Sequence, residues 1–335
     1  MNSAPLPDKS GENSREAVTA VRKPRVVIFC RNISPSLSPF NSDYYWNAYM
    51  DLFELLQENG AEAFFATDNS TYLGDGIFDK AYTSEGKVPV EELVMIRNIK
   101  ADVIYDKGGF NRDDYVLTLN PGFVHHITSN KQRTYEHFSK YQPLTIPCNS
   151  AQDILTAVMM IPGEKIVMKY PEGNGGELVH IVDRDDVEPI LPNLQYPQIV
   201  QEFVDSSIGI PGMVDGYHDL RIKIGGGDVW GGTLRTPKPG ELRANVAQGG
   251  TERHLFPDEI PSEAIMIAKE IDQYFADYPR YYSIDLIHTE AGWKLLELNS
   301  KPGLSPIDMQ PQSKNITQHL ARYLCELAKE RQSKP

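Results

Sequence analysis

The chain is poor in cysteine and has no long apolar run. Its 335 residues include only three cysteines, which lie far apart and lack the spacing of metal ligands: Cys30, Cys148 and Cys325. We therefore expect reduced thiols, as in a cytoplasmic protein. No apolar run approaches the length of a membrane span, and the first residues lack the apolar core of a signal peptide. The sequence thus predicts no membrane-embedded part.

Basic residues are also scarce. Lys and Arg number 33 against 46 Asp and Glu, which gives a formal net charge of −13. This balance argues against a general nucleic-acid or anionic-membrane binder, because phosphate-rich surfaces are bound by clustered Lys and Arg. A local basic pocket stays compatible with it. With 40% hydrophobic and 24% charged residues, the chain has the composition of an ordinary globular protein, long enough for two or three domains.

The order of predicted strands and helices indicates an α+β chain in three parts. Residues 1–22 are polar and contain Pro, Ser and Gly, so we expect a disordered leader. In 23–125, apolar strands alternate with periodic stretches such as VEELVMIRNIK, which predicts a small open α/β domain. Strands then dominate, as in antiparallel α+β lobes, which we expect to span 126–205 and 206–332.

Two apolar runs near the end of the chain, Tyr281 to His288 and Trp293 to Asn299, predict a β-hairpin. We expect a three-residue loop in which Gly292 takes the left-handed conformation. In that register Thr289 lies opposite Trp293. Each strand should then turn one row of side chains to the core and the other row away from it.

The same register places Asp285 opposite Glu297, with Asn299 on the same face and Leu296 on the other. Like charges directly opposite each other destabilise a sheet, and a divalent cation between them would remove the conflict. Two carboxylates and an amide are hard oxygen ligands of the kind that suits Mg²⁺. A solvent-facing hairpin with scattered acids is the alternative explanation.

A glycine-rich loop, KYPEGNGGE (169–177), follows a predicted strand. Gly173, Gly175 and Gly176 would let backbone N–H groups approach phosphates closely. The loop is neither a Rossmann fingerprint nor a P-loop, since no GK[ST] follows and the next element looks like a strand. A Gly-rich hairpin turn is the commoner explanation, although Lys169 at the end of an apolar strand is harder to explain as a surface charge.

The stretch DLRIKI (219–224) places Asp219, Arg221 and Lys223 on one face of a strand. In a chain of net charge −13, a concentration of cations beside the acidic hairpin predicts a local anion site, to which the planar fork of Arg is suited. A salt-bridged, solvated face explains any one of these residues better than it explains the set. The following segment adds Arg235, Arg243 and Asn245.

In their order between about residues 125 and 310, these motifs resemble the ATP-grasp superfamily, particularly the branch of bacterial glutathione synthetases and ribosomal-protein glutamate ligases. SNKQRTYEHF is similar to the family's helix with a phosphate-binding lysine, and MKYPEGNGGE to its strand lysine and lid loop. QEFV resembles the hinge strand, and LLELNSKPG the metal-binding strand. The resemblance implies an α/β N-terminal domain followed by two α+β lobes with antiparallel sheets, with ATP between the lobes.

The resemblance also implies roles for single residues. The nucleotide would contact Lys131, Lys169, Gly173, Gly175, Gly176, Gln201, Glu202, Phe203 and Val204. Mg²⁺, with Mn²⁺ as an alternative, would be held by Asp285, Glu297 and Asn299. The catalytic residues would be Arg221, Arg243 and Asn245. For the ribose, the segment after the hinge offers no acid beyond Asp205 or Asp215.

The implied reaction is ATP-dependent ligation of a carboxylate to an amine or thiol through an acylphosphate. The acid would be a small molecule or a peptide, with no nucleic acid or membrane as partner, and by analogy with the family the chain would form a homo-oligomer. A kinase acting on a hydroxyl and a non-catalytic nucleotide-binding protein are the alternatives. Lys107 and Arg112 could bind a substrate carboxylate, although an exposed loop charge is the explanation we favour for each.

Overall fold

Three sheets order the described part of the chain. In this computed structural model, the structure describes residues 22–110, 117–173, 179–242, 244 and 249–333. The expected leader therefore lies almost wholly outside the described residues. Within them, the α+β architecture predicted from the sequence is confirmed. No helix of the described ranges is long and apolar enough to cross a membrane.

The first sheet combines a parallel centre with an antiparallel edge. The apolar run in β1 is almost wholly buried, as is usual for a strand with neighbours on both sides. The strand order is β3-β4-β2-β1-β6-β7, with β5 paired to β4, and β2, β1, β6 and β7 run parallel. The elements are β1 (Arg25–Phe29), α1 (Asp43–Glu58), β2 (Glu62–Ala66), β3 (Tyr72–Gly74), β4 (Ile77–Thr83), β5 (Val94–Lys100), β6 (Val103–Asp106) and β7 (Leu117–Leu119).

The expected alternation of strand and helix is wrong at VEELVMIRNIK, because residues 94–100 form the antiparallel strand β5. Ile96 and Ile99 both pack on the core although they are three residues apart, as on a helix. A positive φ of 55° at Asn98 interrupts the strand alternation between them. The helix-like spacing therefore comes from a local backbone irregularity.

The second sheet is antiparallel, in the order β10-β9-β11-β8. Its helices cover one face, where Ile154 and Val158 share a core with Ile166, Met168 and Val200. The alternate residues of the strands are left to face the other way. The elements are α2 (Gly122–Thr128), α3 (Lys131–Phe138), β8 (Thr145–Cys148), α4 (Ala151–Met160), β9 (Lys165–Lys169), β10 (Val179–Asp183), α5 (Val187–Ile190) and β11 (Gln198–Glu202).

The third sheet is antiparallel, in the order β14-β13-β12-β15-β16. Leu220, Ile222 and Ile224 are fully buried on the face that packs against helix α6, as the sequence predicts. The sequence analysis predicted neither strand β14 nor helix α6. The elements are β12 (Asp219–Gly225), β13 (Asp228–Thr236), β14 (Thr251–Leu255), α6 (Ser262–Gln273), β15 (Tyr281–Thr289), β16 (Gly292–Asn299) and α7 (Pro311–Ser333).

The predicted hairpin of β15 and β16 is confirmed, but its predicted loop is wrong. Thr289 pairs with Gly292, so only residues 290–291 lie between the strands. Gly292 does have a positive φ, 89°. The register then shifts at a bulge that takes in Leu296, and the bulge restores the predicted pairing of Asp285 with Glu297.

Helix α7 returns to the first sheet, where Leu320 and Leu324 share one buried core with Leu52 and Leu56 of α1. Trp230 of β13 joins the same core, which ties the first and third sheets together. We propose domain boundaries near residues 125 and 205, because each sheet closes within one of the segments that these boundaries define.

Candidate active site

A cleft opens between the uncovered face of the second sheet and the polar face of the third. Val167, Lys169 and Gln201 line it from the second sheet, and Leu296 and Glu297 from the third. Residues far apart in sequence meet here because each strand turns alternate side chains to the cleft. The cleft is therefore a feature of two sheets facing each other.

Most of the predicted nucleotide-binding residues meet in this cleft. Four of the predicted site residues, Gly175, Gly176, Arg243 and Asn245, lie outside the described residues. Arg221, Asp285 and Asn299 lie on the same strands as cleft residues, or on a strand paired with them. The predicted residues that line the cleft directly are Lys131, Lys169, Gly173, Gln201, Glu202, Phe203, Val204 and Glu297.

Two lysines bring positive charge to one wall. Lys169, the last residue of β9, is only 7% exposed. Lys131 is the first residue of α3, and its Nζ donates to the carbonyl of Gly173 at 2.9 Å and lies 3.5 Å from a carboxylate oxygen of Glu297. Burial lowers the pKa of Lys169 to about 8, although the Glu297 carboxylate opposes the shift. This wall would favour an anionic ligand, whose negative charge would stabilise the buried ammonium group of Lys169.

The strand that leads out of the second sheet is fixed before any ligand arrives. Gln201 Nε2 donates to Thr145 Oγ1 at 2.7 Å, and the backbone N–H of Glu202 donates to the carbonyl of Leu144 at 2.8 Å. On the facing sheet, Leu296 turns into the cleft instead of the core, because the bulge in β16 shifts its direction. The expectation that Leu296 lies on the face opposite Glu297 is therefore wrong. Its side chain adds apolar surface to the cleft.

A buried ionic network lies behind the cleft on the third sheet. Asp285, which is fully buried, accepts two hydrogen bonds from Arg221, at 2.8 and 2.5 Å, and one from Arg235 at 2.8 Å. Arg235 also donates twice to Asp219. Burial would raise the pKa of Asp285, but the charges of Arg221 and Arg235 outweigh it and hold that pKa below its ordinary value. The carboxylate is therefore ionised and paired.

The network also resolves the like-charge conflict that the sequence raised. Asp285 and Glu297 are neighbours across the hairpin, but Arg221 comes within 4.0 Å of Glu297 as well, and Lys131 also lies near its carboxylate. Protein cations therefore compensate the two carboxylates. A divalent cation is not needed to keep this hairpin paired.

The predicted metal ligands nevertheless fit Mg²⁺. Glu297 is partly exposed at the cleft, and Asn299 follows it on the same strand. Asp285 has used three of about four acceptor positions on its arginines. Among the described residues no group of three or more His, Cys, Asp or Glu forms a metal cage. A site with few protein ligands suits a cation that keeps water and phosphate oxygens in its shell.

The sequence analysis missed two residues just before Arg221. Tyr217 and His218 line the cleft beside Asp219, whereas Asp205 and Asp215 are not part of its lining. Asp205 instead accepts the backbone N–H of Ser207 at 2.8 Å. Residues 217–219 reach the cleft because the loop before β12 folds back towards it, and the sequence carries no signal for that fold that we can identify.

The comparisons with known proteins agree with this architecture. Residues 142–324 match the model of the RimK-like ATP-grasp domain. A protein of Legionella pneumophila named as a probable alpha-L-glutamate ligase is 29% identical over 223 residues, which cover 64% of this chain and 68% of that protein.

Two solved structures illustrate the shared fold. A RiPP-associated ATP-grasp ligase of Chryseobacterium gregarium, solved in complex with ADP and a leader and core peptide, superposes with a TM-score of 0.60 at 14% identity, covering 91% of this chain and 97% of that one. D-alanyl-alanine synthetase A of Vibrio cholerae superposes with a TM-score of 0.62 at 12% identity, covering 94% and 100%.

Replacing Lys169 by methionine should stabilise the ligand-free protein at pH 7. A lysine whose pKa falls to about 8 on folding costs stability below pH 8, and the cost vanishes as the pH rises to the ordinary lysine value near 10.5. We expect the apparent Tm to rise by about 3 °C at pH 7 and by nothing near pH 10.5. Scanning calorimetry at both pH values checks this, and an equal gain at both would contradict it.

Replacing Asp285 by asparagine should destabilise the fold. The substitution leaves Arg221 and Arg235 buried without their shared carboxylate, which typically costs about 3 kcal/mol. Asp228→Asn is the matched control, because Asp228 pairs with Lys269 on an exposed surface and should lose less than about 0.5 kcal/mol. Urea unfolding of both variants measures the difference. Equal losses of unfolding free energy would show that the buried network stabilises the fold no more than an exposed ion pair does.

Proposed function

Because the chain belongs to the RimK-like ATP-grasp family, we propose that it activates a carboxylate with Mg²⁺-ATP as an acylphosphate and joins it to an amine. It is an ATP-dependent ligase that forms a carbon–nitrogen bond. The observation that carries the proposal is the convergence of Lys131, Lys169, the 201–204 hinge and Glu297 on a single cleft. In this proposal the two lysines neutralise the phosphates, the hinge contacts the adenine base, and Glu297 binds the metal ion.

In the first step a carboxylate oxygen of the acid attacks the γ-phosphorus, and the bond from that phosphorus to the β,γ-bridging oxygen breaks, which releases ADP. In the second step the amine nitrogen attacks the acyl carbon, inorganic phosphate leaves, and the nitrogen loses a proton to solvent. Phosphoryl transfer depends mainly on positioning and on stabilisation of charge. No covalent bond to the protein is required.

The lysines and the hinge would position the nucleotide. Lys169 lies in a buried environment that lowers its pKa, so a phosphate beside it would stabilise its charged form and raise that pKa again. Lys131 joins the cleft to the lid through its hydrogen bond to Gly173. The backbone of Gln201 and Val204 would face the base, with Leu296 against its ring. Lid closure would keep water from the acylphosphate.

Glu297 and Asn299, with the remaining acceptor capacity of Asp285, would hold Mg²⁺. The chemistry that Mg²⁺ supplies when bound is neutralisation of charge on the phosphate oxygens. Arg221 is oriented by its two hydrogen bonds to Asp285, and it would stabilise the charge on the phosphoryl group in transfer. By resemblance, Arg243 and Asn245 would assist at the same phosphate.

The substrates are proposed from the relatives. The name of the Legionella pneumophila relative makes L-glutamate the first amine to test, and the leader and core peptide bound to the Chryseobacterium gregarium ligase add peptides to the acids worth screening. We also propose a cytoplasmic location, where Mg²⁺-ATP is abundant and the buried free thiols of Cys30, Cys148 and Cys325 stay reduced. A homo-oligomer stays a prediction, which sedimentation analysis would test.

The ligase activity should be visible without knowing the amine. Hydroxylamine traps acylphosphates as hydroxamates, so Mg²⁺-ATP with pooled carboxylic acids and short peptides should give equimolar ADP, phosphate and one hydroxamate. Omitting hydroxylamine and adding L-glutamate should give an amide of the same acid, identified by mass spectrometry. A phosphorylated hydroxyl compound as the stable product would instead indicate a kinase, and ATP binding without any turnover would indicate a non-catalytic module.

Replacing Glu297 by glutamine should reduce activity far more than stability. The side chain is 30% exposed and its charge is shared between Lys131 and Arg221, so we expect less than about 1 kcal/mol of change in the unfolding free energy. Loss of a metal-binding carboxylate should lower kcat/KM for Mg²⁺-ATP by about 100-fold or more. Glu290→Gln, in the exposed turn of the same hairpin, is the matched control. Unfolding of Glu297→Gln with unchanged affinity for Mg²⁺-ATP would mean that Glu297 is structural.

A further inference from the structure

Three lysines meet at the segment that follows Asn299, outside the nucleotide cleft. Two of them donate to its backbone, and the third belongs to it. Lys107 Nζ donates to the carbonyls of Lys301 and Pro302, at 2.9 and 2.7 Å. Lys223 Nζ donates to the carbonyl of Gly303 at 3.1 Å. The side chain of Lys301 reaches a carboxylate of the first sheet.

The exposed-loop interpretation of Lys107 is therefore wrong, because its side chain crosses to the segment after the third sheet. Arg112, for which the same interpretation was made, lies outside the described residues. The carboxylate that Lys301 reaches is Asp106, with Nζ 2.7 Å from Oδ2. Lys107 and Lys301 thus tie the end of β6 to the end of β16.

The three lysines come from three parts of the chain. Lys107 follows β6, at the carboxyl end of the parallel strands, where ligands of open α/β sheets commonly bind. Lys223 lies two residues after Arg221 on the polar face of β12, and Lys301 lies in the segment after β16. Asn120 fixes that segment by donating to the carbonyl of Ser300 at 2.7 Å. The lysines thus meet where the first and third sheets join.

This cluster carries more positive than negative charge. In the described ranges, Asp106 is the carboxylate that pairs with it, and its Oδ1 is already occupied by the backbone N–H groups of 108–110. Burial, and then the ammonium group of Lys301, lowers the pKa of Lys107 to about 7. Glu252, the acid that affects Lys223, bonds to His254. Crowded ammonium groups of this kind are stabilised by an anion.

The cluster also has unused donors, and it is open to solvent beside Gly303. An ammonium group has three N–H donors, and the hydrogen bonds above use two on Lys107, one on Lys223 and one on Lys301. Ser283 lies between Lys223 and Asn299 across the sheet; it is fully buried, and in the described part of the chain its hydroxyl has no partner. Gly303 is exposed, and apart from its two chain neighbours no residue has an atom within 4 Å of where its Cβ would stand.

We propose that Lys107, Lys223 and Lys301 form an anion subsite that holds a second anionic group, a carboxylate or a phosphate, of the acid to be activated. The inference rests on the proposed function, because it places the reacting carboxylate beside Arg221. Lys223 is two residues further along the same strand face, which separates the two positions by about 7 Å. The preferred acid would therefore carry two anionic groups a few bonds apart, one reacting and one anchored.

Binding of small anions tests the subsite without turnover. The protein is first saturated with Mg²⁺ and a non-hydrolysable ATP analogue, whose own thermal shift tests the proposed nucleotide site separately. Glutarate, butyrate and inorganic phosphate are then titrated by calorimetry. Butyrate is glutarate with one of its two carboxylates replaced by hydrogen. We expect glutarate to bind about tenfold more tightly than butyrate.

Variants assign that preference to the lysines. Lys107→Met and Lys301→Met should weaken glutarate binding about tenfold or more, whereas Lys100→Met, an exposed lysine at the end of β5, should leave it unchanged. Lys107→Arg and Lys301→Arg keep the charge and should retain binding, which separates loss of charge from loss of fold. Phosphate binding that is lost in the same methionine variants would assign the anchored group to a phosphate and also support the subsite.

Two results would overturn the proposal. One is equal affinity for glutarate and butyrate in the unchanged protein. The other is that the Lys107→Met and Lys301→Met variants bind glutarate with the same affinity as the Lys100→Met control. If the nucleotide analogue gives no thermal shift, the proposed function fails, and glutarate titrated into the nucleotide-free protein still decides whether the subsite exists.

Discussion

The polar face of the third sheet depends on one buried carboxylate. Asp285 has no exposed surface, and it holds Arg221 and Arg235 by three hydrogen bonds. Removing one partner of a buried ionic network leaves uncompensated charge, so the network keeps its members in one arrangement. Arg221 is thereby aimed along the row that ends at Glu297. The geometry expected to act on the phosphates is set by this contact before any ligand binds.

The two faces of the third sheet have different roles: one stabilises the fold, and the other carries the charged residues of the proposed site. Leu220, Ile222 and Ile224 bury one face against α6, and the alternate residues supply charges to the other. Lys223 on that face, and Lys169 on the second sheet across the cleft, both have pKa values lowered to about 8 by burial, which is a cost in the free protein. A bound anion would remove that cost, as expected where a site is built for ligand binding at some expense of stability.

Short sequence patterns predicted individual strands and one strand pairing correctly. The hairpin and the strand that ends in Lys169 follow from short apolar runs, and the facing pair Asp285 and Glu297 follows from the alternate direction of side chains along a strand. The pair was predicted through the wrong loop, because the structure uses a shorter turn and recovers the register at the bulge of Leu296. A bulge depends on packing between sheets, and a single sequence does not reveal it.

Long-range contacts were beyond the sequence patterns. Lys107 looked like a loop charge because its partners, the carbonyls of Lys301 and Pro302, are 194 and 195 positions away in the chain. The cleft position of 217–219 likewise depends on a loop that folds back from the hinge. Residues 94–100 form a strand because they pair with β4, and the sequence of this segment alone does not reveal that pairing.

The central claim is that a carboxylate oxygen attacks the γ-phosphate, and one isotope experiment tests it most directly. The acid found by the hydroxamate screen is labelled with ¹⁸O in its carboxylate and converted to the amide with Mg²⁺-ATP, and the released phosphate is examined by mass spectrometry. The acylphosphate route predicts one ¹⁸O atom in each phosphate released and one left in the amide. Unlabelled phosphate, with the second ¹⁸O atom recovered in AMP or in water, would contradict the account.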